Sequence, residues 1–136
     1  MSSVVISGDT SGTVTVAAPA VAGTTTATLQ AVTGTVALQA DVIGIGQTWQ
    51  LLTSSRAIGT TYTNSTGRPI MVAAVFTNNS TNQTMGFTVS GVNVVFDQMA
   101  GVNTGGGGTI IIPNGATYVA YTSAGTLTLV SWSELR

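Results

Sequence analysis

Thr109-Ile110-Ile111-Ile112-Pro113-Asn114-Gly115-Ala116-Thr117-Tyr118-Val119-Ala120-Tyr121-Thr122-Ser123-Ala124-Gly125-Thr126-Leu127-Thr128-Leu129-Val130-Ser131-Trp132 decides the fold class. Three runs rich in β-branched and aromatic residues are separated by turn sequences, the pattern of successive strands. Ile112-Pro113-Asn114-Gly115 has its own mechanism: proline sets φ at the first central position, and Asn and Gly tolerate positive φ after it. Working outward, the same texture recurs at Thr48–Thr53, Thr60–Asn64, Pro69–Thr77, Met85–Ser90 and Val92–Phe96. With Thr109–Ile112, Thr117–Thr122 and Thr126–Trp132 this predicts eight strands. Helical periodicity is nearly missing. Strands of this number and length predict an all-β fold, a jelly-roll-like or related β-sandwich knob. The linkers Asn78–Thr84 and Asn103–Gly108 are expected to project from the sheet ends as polar loops, the glycine run of the second serving as a flexible hairpin connection.

The N-terminal part reads differently. Glycines recur eleven apart at Gly12, Gly23 and Gly34, each followed by Thr and a short alternating run ending near Val16, Leu29 and Leu38. Pro19 interrupts the first interval and favours a bend or an edge. These side chains are mostly Ala, Val and Thr, and all eight aromatics lie from Trp49 to Trp132. A segment without bulky groups needs partners to complete a core. Residues 1–44 are therefore expected to form an extended β arm for assembly or attachment, and residues 45–136 the knob. The junction is Asp41-Val42-Ile43-Gly44-Ile45-Gly46, where glycine permits a change of direction.

Composition narrows the function. Hydrophobic residues make up 43% of the 136-residue chain, enough for a core, whereas charged residues make up only 5%, against about 25% in an average soluble domain. Asp9, Asp41, Arg56, Arg68, Asp97, Glu134 and Arg136 are the whole charge inventory, with a net charge of -1. No basic face exists for nucleic acid. No apolar run reaches the roughly 20 residues of a membrane-spanning helix. The start, Met1-Ser2-Ser3-Val4, lacks the charged opening of a secretory signal. A weakly charged surface built of Ser, Thr, Asn and Gln suits a protein that lives in an assembly.

Catalysis is not expected. Without His, Cys or Lys, no nucleophile triad or Ser–Lys pair can form, and zinc thiolate sites are excluded. The four acids show no spacing that pairs two carboxylates. Gly105-Gly106-Gly107-Gly108 lacks the Lys-Ser/Thr ending of a phosphate loop and precedes a strand where such a loop opens a helix. No cofactor and no metal is expected. Arg56 and Arg68 flank turn-rich stretches, and we read them as bonding carbonyls or acids at a subunit interface in preference to contacting an anionic receptor group.

Two strings carry a resemblance. Ser7-Gly8-Asp9-Thr10-Ser11-Gly12-Thr13-Val14-Thr15-Val16-Ala17-Ala18-Pro19-Ala20-Val21-Ala22-Gly23-Thr24, continued by Thr33-Gly34-Thr35-Val36, resembles a segment of bacteriophage fibre proteins. Gly46-Gln47-Thr48-Trp49-Gln50, Ser55-Arg56-Ala57-Ile58-Gly59-Thr60-Thr61-Tyr62-Thr63-Asn64-Ser65-Thr66-Gly67-Arg68-Pro69-Ile70 and the closing Trp132-Ser133-Glu134-Leu135-Arg136 are similar to C-terminal domains of such fibres. The resemblance implies a homotrimeric, β-rich structural protein of the virion, made in the host bacterial cytoplasm, displayed on the particle surface and contacting a host cell-surface saccharide as a tail-fibre knob. A long fibre also has a virion-anchoring domain and shaft, neither of which is readable here. The alternative is a capsid decoration, cement or head-fibre protein with a purely structural role. Other virion proteins would be reached through residues 1–40, by strand addition.

Neutral sugars are held by hydrogen bonds and apolar platforms. The candidate ligand-binding residues are therefore Asn78, Asn79, Asn82, Asn103, Tyr62 and Arg68, with Tyr118 a further possible aromatic platform.

Overall fold

The structure, a computed structural model, describes residues 3–7, 11–17, 23 and 42–136. The chain divides into two compact units, Met1–Thr35 and Val36–Arg136. In the first unit, β1 (Ser3–Ser7) and β2 (Thr13–Ala17) form an antiparallel hairpin. In its register Val4 pairs with Val16 and Ile6 with Val14. Ile6 and Val16 are exposed. The strand expected after Gly12 is thus β2. Those expected after Gly23 and Gly34, and the Pro19 bend, lie outside the described residues.

The second unit is all-β. A turn over residues 42–46 has positive φ at Gly44 (94°) and Gly46 (67°), the freedom the junction requires. Buried Gln47 anchors it: its Oε1 accepts from the Gly44 amide at 2.7 Å, and its Nε2 donates to the Pro69 carbonyl at 3.0 Å. Then come β3 (Trp49–Leu51), a single 3-10 turn (Thr53–Ser55), β4 (Tyr62–Thr63), β5 (Ile70–Asn78), β6 (Gln83–Val89), β7 (Val92–Met99), β8 (Gly105–Ile112), β9 (Thr117–Thr122) and β10 (Leu127–Leu135). All eight expected knob strands are present, with ends shifted by a few residues. They form two four-stranded antiparallel sheets, ordered β3-β10-β5-β8 and β4-β9-β6-β7.

The sheets face each other across a core that both supply. Ile70, Val72, Ala74 and Phe76 of β5, Ile112 of β8 and Trp132 of β10 meet Met85 and Phe87 of β6, Met99 of β7, and Tyr118 and Ala120 of β9. Phe87 is the hub, with its ring edge-on to Trp132 at 4.9 Å and tilted against Phe76 at 6.4 Å. Edge-to-face pairs add about 0.5–1.5 kcal/mol to the burial itself, and truncating such a ring to Ala costs about 3–5 kcal/mol.

One register irregularity sets the interior. Between Leu129 and Ser131, β10 slips against β5, because Val130 is an extra, bulged residue. Before it the odd positions Leu127 and Leu129 pack on the core; after it the even positions Trp132 and Glu134 are the fully buried ones.

The glycine run is not a loop. Gly105–Gly108 is the first half of β8, paired with Ala74–Thr77 of β5, and the expected linkers shrink to residues 79–82 and 100–104. Steric space explains this correction. A Cβ on Gly108 would lie 2.5 Å from the Phe96 ring, one on Gly106 would lie 2.6 Å from Asp97 Oδ2 and Met85 Cε, and one on Gly107 would strike the Ala74 carbonyl oxygen. The glycines leave room on β8 for the Phe96 and Asp97 side chains of β7, so these edge strands of opposite sheets come close together.

Candidate functional site

Two places gather the chemistry-bearing residues, at opposite ends of β5. A nine-residue strand of about 3.3 Å per residue separates them by roughly 30 Å.

The first holds most of the charge. Glu134 is fully buried on β10, and its carboxylate accepts five hydrogen bonds. Arg56 Nε (2.8 Å), Tyr118 Oη (2.9 Å) and Trp132 Nε1 (3.0 Å) donate to Oε1; Arg56 Nη2 (3.1 Å) and Arg136 Nη1 (2.9 Å) donate to Oε2. The Arg56 fork is bidentate, and its Cζ lies 4.5 Å from the centroid of the Tyr62 ring. Burial alone pushes Glu134 up, but the bonds from Arg56, Tyr118 and Trp132 outweigh it and hold the carboxyl below its usual range. Tyr118 is pushed up to about 12, by burial first and by its bond to Glu134 second. The Glu134 bond also raises the Arg56 value. A carboxylate with five donors has no lone pair left for a proton or a metal, so this cluster acts as a clamp. Arg56 finds its acid within its own chain, on β10, rather than across a subunit boundary.

Tyr62 and Arg68 lie at this end. The Tyr62 hydroxyl accepts from the Ala57 amide at 2.9 Å, and its ring packs on Tyr118 and Trp132 at 5.8 and 6.0 Å. Arg68 Nη1 donates to the Ile45 carbonyl at 3.0 Å. Asn64 is the local organiser: its Nδ2 donates to the carbonyls of Arg68, Ile112 and Pro113, and its Oδ1 accepts from Thr66. Tyr118 is buried and serves Glu134.

The second place is the loop end formed by residues 79–82, 100–104 and 123–126. Here the structure brings Asn78, Asn79, Asn82 and Asn103 together. Asn78 is fully buried; its Nδ2 donates to the Ser80 and Gly101 carbonyls, and its Oδ1 accepts from the Thr104 amide at 2.9 Å. Its amide is the stitch between two loops. The Asn103 amide returns a 3.0 Å bond to the Asn78 carbonyl, and the Asn79 amide donates to the Thr126 carbonyl at 3.2 Å. The side chains of Asn79, Asn82 and Asn103 face solvent among Thr81, Ser123 and Thr126. Asn82 and Asn103 hold positive φ (55° and 59°), which Asn tolerates better than most residues.

Sequence reading missed two members of this end. Gln83 is fully buried, and among the described residues its Oε1 and Nε2 are the buried side-chain polar atoms without a partner. Gly125 sits directly over it, since a Cβ there would strike Gln83 Nε2. Tyr121, on the outward side of β9 opposite Gly86, lies two residues before Ser123 and is half exposed. It is a partly exposed aromatic on the strand that leads into this end. Its signal was its place just before the Ser123-Ala124-Gly125 turn.

Among the described residues there is no group of three or more His, Cys, Asp or Glu able to hold a metal ion, and no helix long and apolar enough to cross a membrane. No protein-family model matches the chain, and no curated protein or solved structure is detectably similar to it.

Proposed function

We propose that this chain is a non-enzymatic structural protein of a bacteriophage particle: a homotrimer of jelly-roll knobs, displayed on the virion surface, whose loop end recognises a neutral host-surface saccharide as a tail-fibre component does. Strand order supports the jelly roll. Counted within the knob, the sheets run 1-8-3-6 and 2-7-4-5, the wrapping of two Greek keys found in viral capsid and lectin domains. Fold alone does not select a function. The observation that carries the saccharide reading is the loop end, where exposed Asn79, Asn82 and Asn103 stand among hydroxyls with no charged residue in the three loops, beside the aromatic Tyr121. Amides bond sugar hydroxyls as donor and acceptor at once, and an aromatic face covers the apolar side of a pyranose.

The test is binding of the fluorescently labelled full chain to host cells and to a panel of neutral glycans. Asn79→Ala with Asn82→Gly should lower cell binding at least tenfold while leaving the unfolding transition in place. Glycine is the appropriate replacement at position 82 because it accepts the positive φ. Undiminished binding by the double variant removes the loop end from the reading.

The hairpin favours a second reading. It exposes Val5, Ile6 and Val16, and two strands alone are marginally stable in water. In this reading the chain is a capsid decoration, cement or head-fibre protein, and residues 1–40 of the arm dock on neighbouring virion proteins. Antibody-gold on intact particles separates the two: label at the tail extremities supports recognition, and label over the head supports decoration.

A further inference from the structure

The turn between β8 and β9 carries the one Asn-Gly pair of the sequence, Asn114-Gly115. Asparagine is among the chemically fragile residues, and a following glycine makes it more so. With no Cβ to hinder it, the glycine nitrogen can attack the asparagine side-chain carbon. The N–Cγ bond forms, the Cγ–Nδ2 bond breaks, and ammonia leaves with the proton that the nitrogen gives up. Water then opens the five-membered imide at either carbonyl, giving aspartate or isoaspartate; nothing is oxidised or reduced. Both residues are exposed, and a Cβ on Gly115 would meet nothing within 4 Å, so water and hydroxide reach the pair.

Both reacting groups are nevertheless tied. The Gly115 amide donates to the Asn64 carbonyl at 2.8 Å. Its nitrogen attacks only after losing that proton, and a neutral carbonyl stabilises the N–H without removing it. The Gly67 amide donates to Asn114 Oδ1 at 3.1 Å, which holds the side-chain amide against a different segment. Asn64 governs the rest. It is buried, its own amide donates to the Ala116 carbonyl at 3.0 Å, and its Nδ2 donates to the Ile112 and Pro113 carbonyls at 3.1 Å each. One residue thus clasps the turn on both sides of the labile pair.

We propose that Asn114 is a latent deamidation site held in check by Asn64: the pair reacts when the turn opens locally, and not from the closed turn. The product carries one more negative charge. Isoaspartate also lengthens the backbone by one carbon where it crosses from one sheet to the other, which displaces the Gly115 amide from the Asn64 carbonyl. Each event is therefore a one-way record of an opening of this turn.

The experiment is incubation of the full chain at mildly alkaline pH, native and in urea, followed by peptide mapping with mass spectrometry. With three basic and four acidic residues in the whole chain, the added charge also resolves on ion exchange. Asn114 should be the first asparagine modified in urea, and its reaction should be at least tenfold slower in the native chain. Asn64→Ala, with its fold checked by near-ultraviolet circular dichroism, should raise the native rate at least fivefold. Thr66→Val keeps Asn64 and removes the hydroxyl bond to its Oδ1; it should raise the rate at least twofold even if the chain tolerates no change at position 64. A native rate equal to that in urea overturns the check, and a different asparagine modified first in urea overturns the site. A folded Asn64→Ala or Thr66→Val that reacts no faster than wild type takes the guarding role away from Asn64.

Discussion

The Tyr118 hydroxyl donates to Glu134 Oε1 at 2.9 Å, joining two buried residues on strands of opposite sheets. It is a polar rivet through an otherwise apolar interior. Trp132 and Arg56 bond the same oxygen, so the acid fixes the approach of the β3–β4 connection as well as the spacing of the two layers.

Removing that acid exposes the cost of the arrangement. Glu134→Gln keeps the shape but leaves Arg56 without its anion, and the loss should be about 3–5 kcal/mol by urea unfolding. Tyr118→Phe removes one donor of five and should cost about 1.5–3 kcal/mol. If Tyr118→Phe proves as damaging as Glu134→Gln, the carboxylate is not the centre of the cluster.

The same groups define a pH window. Glu134 sits below its ordinary value of 4.5, so its contribution is complete above that value and is lost as pH falls through the lower folded one. Tyr118 sits above its ordinary 10, at about 12, so its contribution is complete below 10 and fades as pH climbs towards 12. The chain has no histidine. Melting temperature should therefore be flat from about pH 5 to pH 9 and fall on both sides; a decline already evident between pH 7 and 6 would contradict this.

The glycine run supplies an internal comparison. Gly107→Ala drives a methyl into the Ala74 carbonyl, whereas a Cβ at Gly105 would find its nearest neighbour at 3.7 Å. Thermal denaturation should show Gly107→Ala destabilised by about 1–3 kcal/mol and Gly105→Ala near neutral. Equal effects would mean that β8 does not lie this close to β5.

Gln83 is a test of purpose. Replacing a buried amide that has no partner by an apolar side chain of similar shape relieves about 1–3 kcal/mol, so Gln83→Met should raise the melting temperature. A stabilised Gln83→Met that also loses saccharide binding would give the amide a direct part in recognition. A destabilised one would mean that a polar partner normally satisfies it.

Strand content was legible because each knob strand has its own punctuation. The turn expected over Ile112–Gly115 forms one residue later: the Ala116 amide bonds the Pro113 carbonyl at 3.2 Å, so Asn114 and Gly115 are its central residues, with Gly115 at φ 78°, and Pro113 leads into it instead of setting its first central φ. What alternation could not reveal was parity. Counting in twos from Leu127 puts Ser131, Ser133 and Leu135 inside, and only the bulge at Val130 turns Trp132 and Glu134 inward. Composition misled at Gly105–Gly108 because flexibility and close approach call for the same residue. Asn78 and Asn79 are indistinguishable neighbours in sequence, yet a strand end buries one and exposes the other. Tyr62 and Arg68 joined the candidate list on chemistry alone, and the length of β5 places them at the far end from the asparagines.

Val130 also determines which genetic changes this strand can absorb. Substitutions along its outward side change one surface position each. A one-residue deletion anywhere from 128 to 131 can be absorbed by giving up the bulge: with Val130 gone, Leu129 and Ser131 meet their partners Phe76 and Val75 in an unbroken ladder, and the Trp132 indole and the Glu134 carboxylate stay inside. Beyond the bulge there is no such slack: deletion of Ser133 makes Trp132 and Glu134 neighbours, and alternation can then keep only one of them inside.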